Sequence, residues 1–271
     1  EPEDFELDLI KTQVTEVFPK SIIKVIKSPD LMMDYSMNPY QGCEHGCSYC
    51  FARPTHEFWG YSAGVDFERK LMVKKNAPEL LEKTFQKKSY VPKTIMLSGN
   101  TDCYQPIERQ FEITRKLLQI CLDYRHPVSI ITKNALVLRD IDILEKMAEK
   151  NLISVSLSIP TINEELRRVM EPRTSTAKNK LKAIEILSSK NIPVNVMIAP
   201  VIPGLTSDES LGIMKAVSEA GARSCGYTLV RLNDTVEPVF IQWLETHFPD
   251  RKDKVLNLIR SMRGGNLGEK R

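Results

Sequence analysis

The sequence lacks the features that mark membrane and secreted proteins. Its longest apolar runs, such as VMIAPVI at 196–202, are far shorter than the roughly 20 residues that cross a bilayer. The first residues, EPEDFELD, are acidic and do not match a secretory signal. Six cysteines in 271 residues are too few for a disulfide scaffold. We therefore expect a protein of the reducing cytoplasm, with no membrane contact.

The sequence also has little excess charge. Its 38 lysines and arginines against 35 acidic residues leave a net charge of +3, which is too small to predict binding to nucleic acid. No linker, low-complexity segment or short repeat divides it. We predict a single domain over 1–271, with a core at about 36–232, an N-terminal extension at 1–35 and a C-terminal helical segment at 233–271.

Short apolar runs alternate with amphipathic stretches along the chain. The runs predict strands at 34–40, 93–98, 127–132, 152–159, 193–199 and 224–230. The stretches between them predict helices at 107–124, 138–150, 178–190 and 207–221, and a last helical stretch at 237–263. Strands that are apolar on both faces and alternate with helices indicate a parallel sheet. Because six units are too few for a closed eight-stranded barrel, we predict an α/β fold, a partial, open (β/α)6 barrel that is TIM-like.

Three cysteines, Cys43, Cys47 and Cys50, lie within the sequence CEHGCSYC. Zinc prefers four ligands, commonly as two pairs, and only His45 and His56 are near enough in sequence to complete a set. A redox dithiol needs C-x2-C alone and leaves Cys43 unused. Three thiolates suit an iron–sulfur cluster with one iron that has no protein ligand. Since an electron-transfer ferredoxin normally supplies four cysteines, an open iron indicates chemistry.

The cysteine sequence resembles the C-x3-C-x-aromatic-C loop of radical S-adenosylmethionine (SAM) enzymes, with Tyr49 at the aromatic position. The resemblance implies the partial (β/α)6 barrel of that family and a [4Fe–4S] cluster held by Cys43, Cys47 and Cys50. It implies that the open iron is chelated by the amino and carboxylate groups of SAM. It also implies reductive cleavage of SAM to a 5′-deoxyadenosyl radical that abstracts hydrogen, with electrons from a flavodoxin- or ferredoxin-type partner.

Residues 36–232 are most similar to the spore-photoproduct-lyase-like branch of the family. The turn LSGNTDCYQP at 97–106 follows the second predicted strand, where the family holds the SAM amino group. Small residues let the backbone approach, and a carboxylate can accept from an ammonium. The resemblance thus implies SAM contacts in this turn from Ser98, Gly99, Asn100, Thr101 and Asp102.

Later strand ends supply the other implied SAM contacts. Lys133 in ITKNA follows the third strand, like the lysine that pairs with the SAM carboxylate in that branch. Arg173 in MEPRT either meets the SAM ribose or carboxylate or caps a helix. The fourth strand is similar to a family strand with a SAM-contacting serine, which implies contacts from Ser156 and Ser158. The motif IAPVIPGL resembles the fifth-strand motif beside adenine and implies contacts from Ala199, Val201 and Gly204.

The substrate is not identified by these residues. Spore photoproduct lyase uses a cysteine as hydrogen donor where this chain has Gly99 or Asn100. Cys103 and Tyr104 are the catalytic candidates nearest to that position in sequence. Cys103 can equally pack beneath the turn. The long aromatic insertion at 52–70 predicts a lid or substrate wall, or a cover for the core. We predict a radical SAM enzyme with an unidentified substrate. The alternatives are a nucleic-acid lesion lyase and a non-catalytic iron–sulfur protein for electron transfer or sensing.

Overall fold

The computed structural model describes residues 12–26 and 33–268. Within them the strands are β1 (Gln13–Val17), β2 (Ile23–Val25), β3 (Tyr35–Met37), β4 (Tyr40–Gln41), β5 (Lys70–Lys74), β6 (Ile95–Leu97), β7 (Val128–Thr132), β8 (Ile153–Ser158), β9 (Val194–Val201) and β10 (Ser224–Leu229). The α-helices are α1 (Asp66–Arg69), α2 (Ala77–Phe85), α3 (Glu108–Phe111), α4 (Ile113–Asp123), α5 (Ile141–Ala148), α6 (Glu164–Met170), α7 (Ala177–Ser189), α8 (Ser210–Glu219), α9 (Val236–His247) and α10 (Lys252–Met262).

The main sheet confirms the predicted architecture. Strands β3, β6, β7, β8, β9 and β10 lie side by side in chain order and run parallel. β2 extends the sheet antiparallel to β3, and in the described part of the chain β2 and β10 are its two unjoined edges. The fold is therefore a partial, open (β/α)6 barrel, and the carboxyl ends of all six parallel strands meet at one rim.

Alternate strand residues face opposite sides of this sheet. In β7, Val128 and Ile130 are buried in the main hydrophobic core, whereas Ser129 and Ile131 are half-buried. The same alternation recurs in β8 and β9, because strand side chains point to the two faces in turn. The helices cover the buried side. We call the other side the concave face; its half-buried residues are Ser36, Met96, Ser129, Ile131, Ser154, Ser156, Asn195 and Met197.

The predicted helix at 107–124 is wrong as one element. It is divided into α3 and α4 at Glu112, whose φ of 50° is left-handed. The buried Glu108 carboxylate accepts hydrogen bonds from the backbone N–H groups of Thr114 (3.0 Å) and Arg115 (3.4 Å). A carboxylate that caps these free N–H groups stabilises a new helix start. The apolar periodicity continues through the break and therefore did not indicate it.

Other differences concern element ends and a second sheet. The predicted helix at 138–150 begins earlier, as a 3-10 turn at Ala135–Asp140 that leads into α5. The last predicted helical stretch forms α9 and α10. β1, β5 and β4 form a small sheet that was not predicted. The helices α2 and α6 were not predicted either. Part of the N-terminal extension, 1–11 and 27–32, lies outside the described residues, and the single domain stays a prediction. Among the described helices, none has the length and apolarity of a membrane span.

Candidate active site

The loop that follows β4 brings the three predicted cluster cysteines together. Cys43 and Cys47 are buried and Cys50 is half-buried, and all three are free thiols. Cys50 packs against both of the apolar groups to which Cys43 and Cys47 belong. Burial and then Cys43 raise the pKa of Cys50 to about 11, and burial raises the pKa of Cys47 well above its usual value. Thiols in such surroundings ionise when a metal cation binds them.

A buried arginine holds this loop in place. Arg53, which is 1% exposed, donates from Nε to the Cys47 carbonyl oxygen at 3.0 Å. Its Nη2 lies 2.5 Å from Glu68 Oε1. The insertion at 52–70 is thereby fixed against the cysteine loop. Within it, Trp59 is 49% exposed and does not cover the core; a lid or substrate wall stays a prediction.

Asp102 connects the turn at 98–102, which follows β6, with the end of β7 and with the cysteine loop. Its Oδ1 accepts from Thr132 Oγ1 (2.7 Å) and from the Tyr104 N–H (2.8 Å). Its Oδ2 accepts from the Lys133 N–H (2.7 Å) and lies 3.4 Å from Nδ1 of the buried His45. Burial opposes ionisation, but His45 keeps the pKa of Asp102 below its usual value. These contacts use the four lone-pair directions of the carboxylate, so Asp102 positions Lys133 and His45, and its contact with SAM stays a prediction.

Two side chains of the same turn are used to shape it. Ser98 has a left-handed φ of 76°, and its Oγ accepts from the Cys103 N–H at 2.6 Å. Thr101 is buried and donates to the Tyr40 carbonyl oxygen at 2.6 Å. Both residues therefore fix the backbone of the turn at the end of β6.

Gly99 and Asn100 lie beside the concave face. A Cβ added to Gly99 would be 3.1 Å from the Ser36 Cβ, so a side chain at this position would require a small shift of Ser36. The Asn100 N–H donates to Asn38 Oδ1 at 2.8 Å. The turn thus crosses closely over the end of β3, at the rim where the sequence predicts the SAM amino group.

Lys133 contacts the carbonyl oxygen of Ala199, the ring of Tyr49 and one buried carboxylate, that of Glu171. Lys133 Nζ lies 2.9 Å from Oε1 of the fully buried Glu171, donates to the Ala199 carbonyl oxygen at 3.0 Å, and stands 5.5 Å from the centre of the Tyr49 ring. The Tyr49 hydroxyl donates to Glu171. Lys180 Nζ is 3.5 Å from the other Glu171 oxygen. An ammonium has three donors, so among the described residues one N–H of Lys133 is left for a further carboxylate.

The sequence did not identify Glu171 and Lys180 as site residues. Glu171 lies within the sequence MEPRT, in which only Arg173 was predicted as a contact, and the periodicity of α7 is the one signal for Lys180. Lys180 is 1% exposed and lies on the same buried stripe as Ala183 and Ile184, where a solvated lysine would not be placed. Burial lowers the pKa of Lys133 to about 8 and raises that of Glu171.

Other predicted SAM contacts lie outside this group. Arg173 is exposed and pairs with Glu68 (3.0 Å), and it also donates to the carbonyl oxygen of Glu44. Gly204 has a φ of 79°, and a Cβ there would be 3.1 Å from Leu258 of α10. The other three are Ser156 and Ser158, which share the concave side of β8, and Val201, which is buried at the end of β9.

The two catalytic candidates lie in the main core. Cys103 and Tyr104 are both fully buried. The Tyr104 hydroxyl donates to Asp140 Oδ2 at 3.0 Å, and burial raises the pKa of both groups well above their usual values. This placement favours packing over hydrogen donation for both residues.

Comparison with known proteins agrees with this geometry. The sequence profile of the radical SAM superfamily matches residues 37–217. An uncharacterized protein of Mycobacterium tuberculosis is 32% identical over 251 residues, which are 90% of this chain and 73% of the relative. One from Methanocaldococcus jannaschii is 29% identical over 91% of this chain and 88% of its own length. The structure of spore photoproduct lyase complexed with dinucleoside spore photoproduct superposes with a TM-score of 0.64 at 15% identity, covering 89% of this chain and 67% of the lyase; at that identity it shows the fold alone. The chain belongs to the radical SAM superfamily of enzymes.

Proposed function

We propose that this chain is a radical SAM enzyme that uses a [4Fe–4S] cluster on Cys43, Cys47 and Cys50 to cleave SAM and abstract hydrogen from its substrate. The observation that carries the proposal is that the loop with the three thiols reaches Lys133, at the carboxyl rim of the parallel strands, through Tyr49: its hydroxyl donates to Glu171, the partner of Lys133, and its ring centre lies 5.5 Å from Lys133 Nζ. When bound and reduced, the cluster supplies the electron that splits SAM into methionine and a 5′-deoxyadenosyl radical. The residues of the chain then hold SAM and substrate in place.

Three cysteine thiols are the donor type of an iron–sulfur cluster. In the described ranges, 12–26 and 33–268, no three His, Cys, Asp or Glu side chains converge as one metal ion requires. Zinc would need its ligands within about 2.0–2.3 Å of a single point. A cluster offers separate irons to separate thiolates. His45, the nearest fourth zinc ligand in sequence, is already engaged with Asp102 at 3.4 Å and with Asn134 at 3.3 Å.

The polar groups around the loop can hold SAM. The remaining N–H of Lys133 is available for the SAM carboxylate, and the Asp102 turn fixes the backbone of Lys133 in that place. The carbonyl groups and small residues of the turn at 98–102 can receive the ammonium. Ala199 and Val201, at the end of β9, are proposed beside adenine.

The substrate is proposed to lie on the concave face, which offers hydroxyl and amide groups. Asn195 Nδ2 donates to Ser154 Oγ at 2.9 Å, and Ser224 Oγ donates to Asn195 Oδ1 at 2.7 Å. A flavodoxin- or ferredoxin-type partner would deliver the electron near the half-buried Cys50. The six free cysteines agree with a reducing compartment such as the cytoplasm.

Anaerobic reconstitution followed by addition of SAM and dithionite tests the proposal. We expect about four irons per chain and release of 5′-deoxyadenosine. Cys47→Ala should lose both, while Cys225→Ala, which changes an exposed cysteine on β10, should keep both. Two irons, tightly held zinc, or iron retained by Cys47→Ala would refute the cluster. Four irons without 5′-deoxyadenosine would favour the non-catalytic iron–sulfur alternative.

A further inference from the structure

A buried lysine that has no carboxylate partner among the described residues lies at the end of β5. Lys74 is 9% exposed, and its Nζ donates to the carbonyl oxygen of Asn38 at 2.6 Å. In the described part of the chain it pairs with no acidic side chain. The next residue, Lys75, is well exposed and pairs with Glu16 at 2.8 Å. A buried ammonium without a counter-charge is unfavourable, and a bound anion would offset that cost.

A second lysine faces the same place. Lys24 lies directly opposite Ser36 in the antiparallel pairing of β2 and β3, and residues opposite each other point to the same side of a sheet. Ser36 belongs to the concave face, so Lys24 does as well. Lys74 Nζ bonds the carbonyl oxygen of Asn38, two residues beyond Ser36, so both lysines lie along the same short segment of the chain. Burial, followed by the charge of Lys24, lowers the pKa of Lys74 to about 8.

Both lysines border the candidate active site. The Asn38 residue that holds Lys74 through its carbonyl oxygen also accepts, through its side chain, from the Asn100 N–H. Ser36, opposite Lys24, contacts the backbone at Gly99 closely. Both lysines therefore lie next to the turn at 98–102, and Lys24 is on the concave face of the sheet.

We propose that Lys24 and Lys74 bind an anionic group of the substrate, and that the substrate is a small molecule with a phosphate or carboxylate. This inference rests on the proposed function. Two ammonium groups recognise an oxyanion as point charges. The half-buried Ser36 hydroxyl lies beside Lys24 and can donate to the same group. The rest of the molecule would extend over the hydroxyl-lined concave face toward the rim.

Calorimetric titration of sodium phosphate into the reconstituted protein tests this site, with saturating S-adenosylhomocysteine present and ionic strength held constant by sodium chloride. Phosphate should bind to the wild type. Lys24→Met and Lys74→Met should each weaken it at least tenfold. Lys75→Met, the matched control, should change it less than twofold. Lys24 is exposed, so Lys24→Met tests the site independently of the change in stability that Lys74→Met causes.

Sodium acetate in a parallel titration distinguishes the two kinds of anion. Stronger binding of phosphate assigns a phosphorylated substrate, and equal or stronger binding of acetate assigns a carboxylate. Either result supports the site if Lys24→Met and Lys74→Met each weaken the binding of that anion at least tenfold. Phosphate affinity that is unchanged in both variants would overturn the proposal. Competition between phosphate and S-adenosylhomocysteine would also overturn it, because the lysines would then hold the cofactor. None of these readouts depends on 5′-deoxyadenosine, so failure here is distinct from failure of the proposed function.

Discussion

Replacement of Lys133 by methionine should weaken SAM binding by roughly ten- to a hundredfold while the cluster is retained. The ammonium stands at the carboxyl rim with one N–H left after its contacts with Glu171 and Ala199. A charge-assisted hydrogen bond is worth on the order of 1.5–3 kcal/mol, and about 1.4 kcal/mol corresponds to tenfold in affinity. Methionine keeps the length and apolar packing of the side chain but not its charge.

The control is Lys180→Met, because Lys180 pairs with the same carboxylate from the other side. If Lys133 contacts SAM itself, only Lys133→Met should lower the affinity by this amount. If Lys133 serves only as a counter-ion to Glu171, both variants should have similar effects. Anaerobic calorimetry with SAM gives the affinities, and iron analysis shows that the cluster is still present. Unchanged affinity in Lys133→Met, or an equal loss in Lys180→Met, would refute the direct contact.

Three further predictions concern stability and substrate. Glu171→Gln should lower the free energy of unfolding by about 3–5 kcal/mol, because Lys180, 1% exposed, loses its carboxylate; a urea titration that shows less than about 1 kcal/mol would contradict the role of Glu171. The pKa of Lys74 is lowered from 10.5 to about 8 by burial, so between these values the unfolded chain binds more protons than the folded chain and wild-type stability rises with pH. The stability gained by Lys74→Met should therefore be largest below pH 8 and shrink by about 3 kcal/mol by pH 10.5, and a constant difference in urea titrations would exclude the shift. Incubation of the reduced protein and SAM with a spore-photoproduct dinucleotide should yield 5′-deoxyadenosine but no thymine, because Cys103, the candidate hydrogen donor, is fully buried. Formation of thymine that Cys103→Ala abolishes would refute both the predicted lack of repair and the packing role of Cys103.

The architecture could be predicted because local patterns determine it. Each parallel strand is a short apolar run, and each buried helix face repeats with the helical period, so neighbouring residues carry the information. The cysteine loop was equally visible because Cys43, Cys47 and Cys50 are close in sequence. In both cases the physical constraint acts within about ten residues.

The parts that could not be predicted depend on distant partners. Glu108 ends one helix and starts another through its buried carboxylate, and the Tyr40 hydroxyl that donates to it is 68 positions away. The role of Glu171 in the site depends on its contact with Tyr49, which is 122 positions earlier in the sequence, and no local pattern indicates that contact. The pairing of Lys24 with Ser36 likewise required the register of β2 and β3.

The contacts of Arg53 with the cysteine loop have a consequence for how a metal would be acquired. Small metal domains often remain unfolded until the ion arrives, so the binding energy of the metal is largely spent on ordering the chain. Here the guanidinium links the Cys47 carbonyl oxygen to the carbonyl oxygens of Ala63 and Gly64 and to Glu68, through protein contacts alone. These contacts tie the loop to the insertion at 52–70, and they would lessen the ordering that the proposed cluster has to drive. If the proposed cluster were lost to oxygen, these contacts would remain, and we expect a chain that can be reloaded without first refolding.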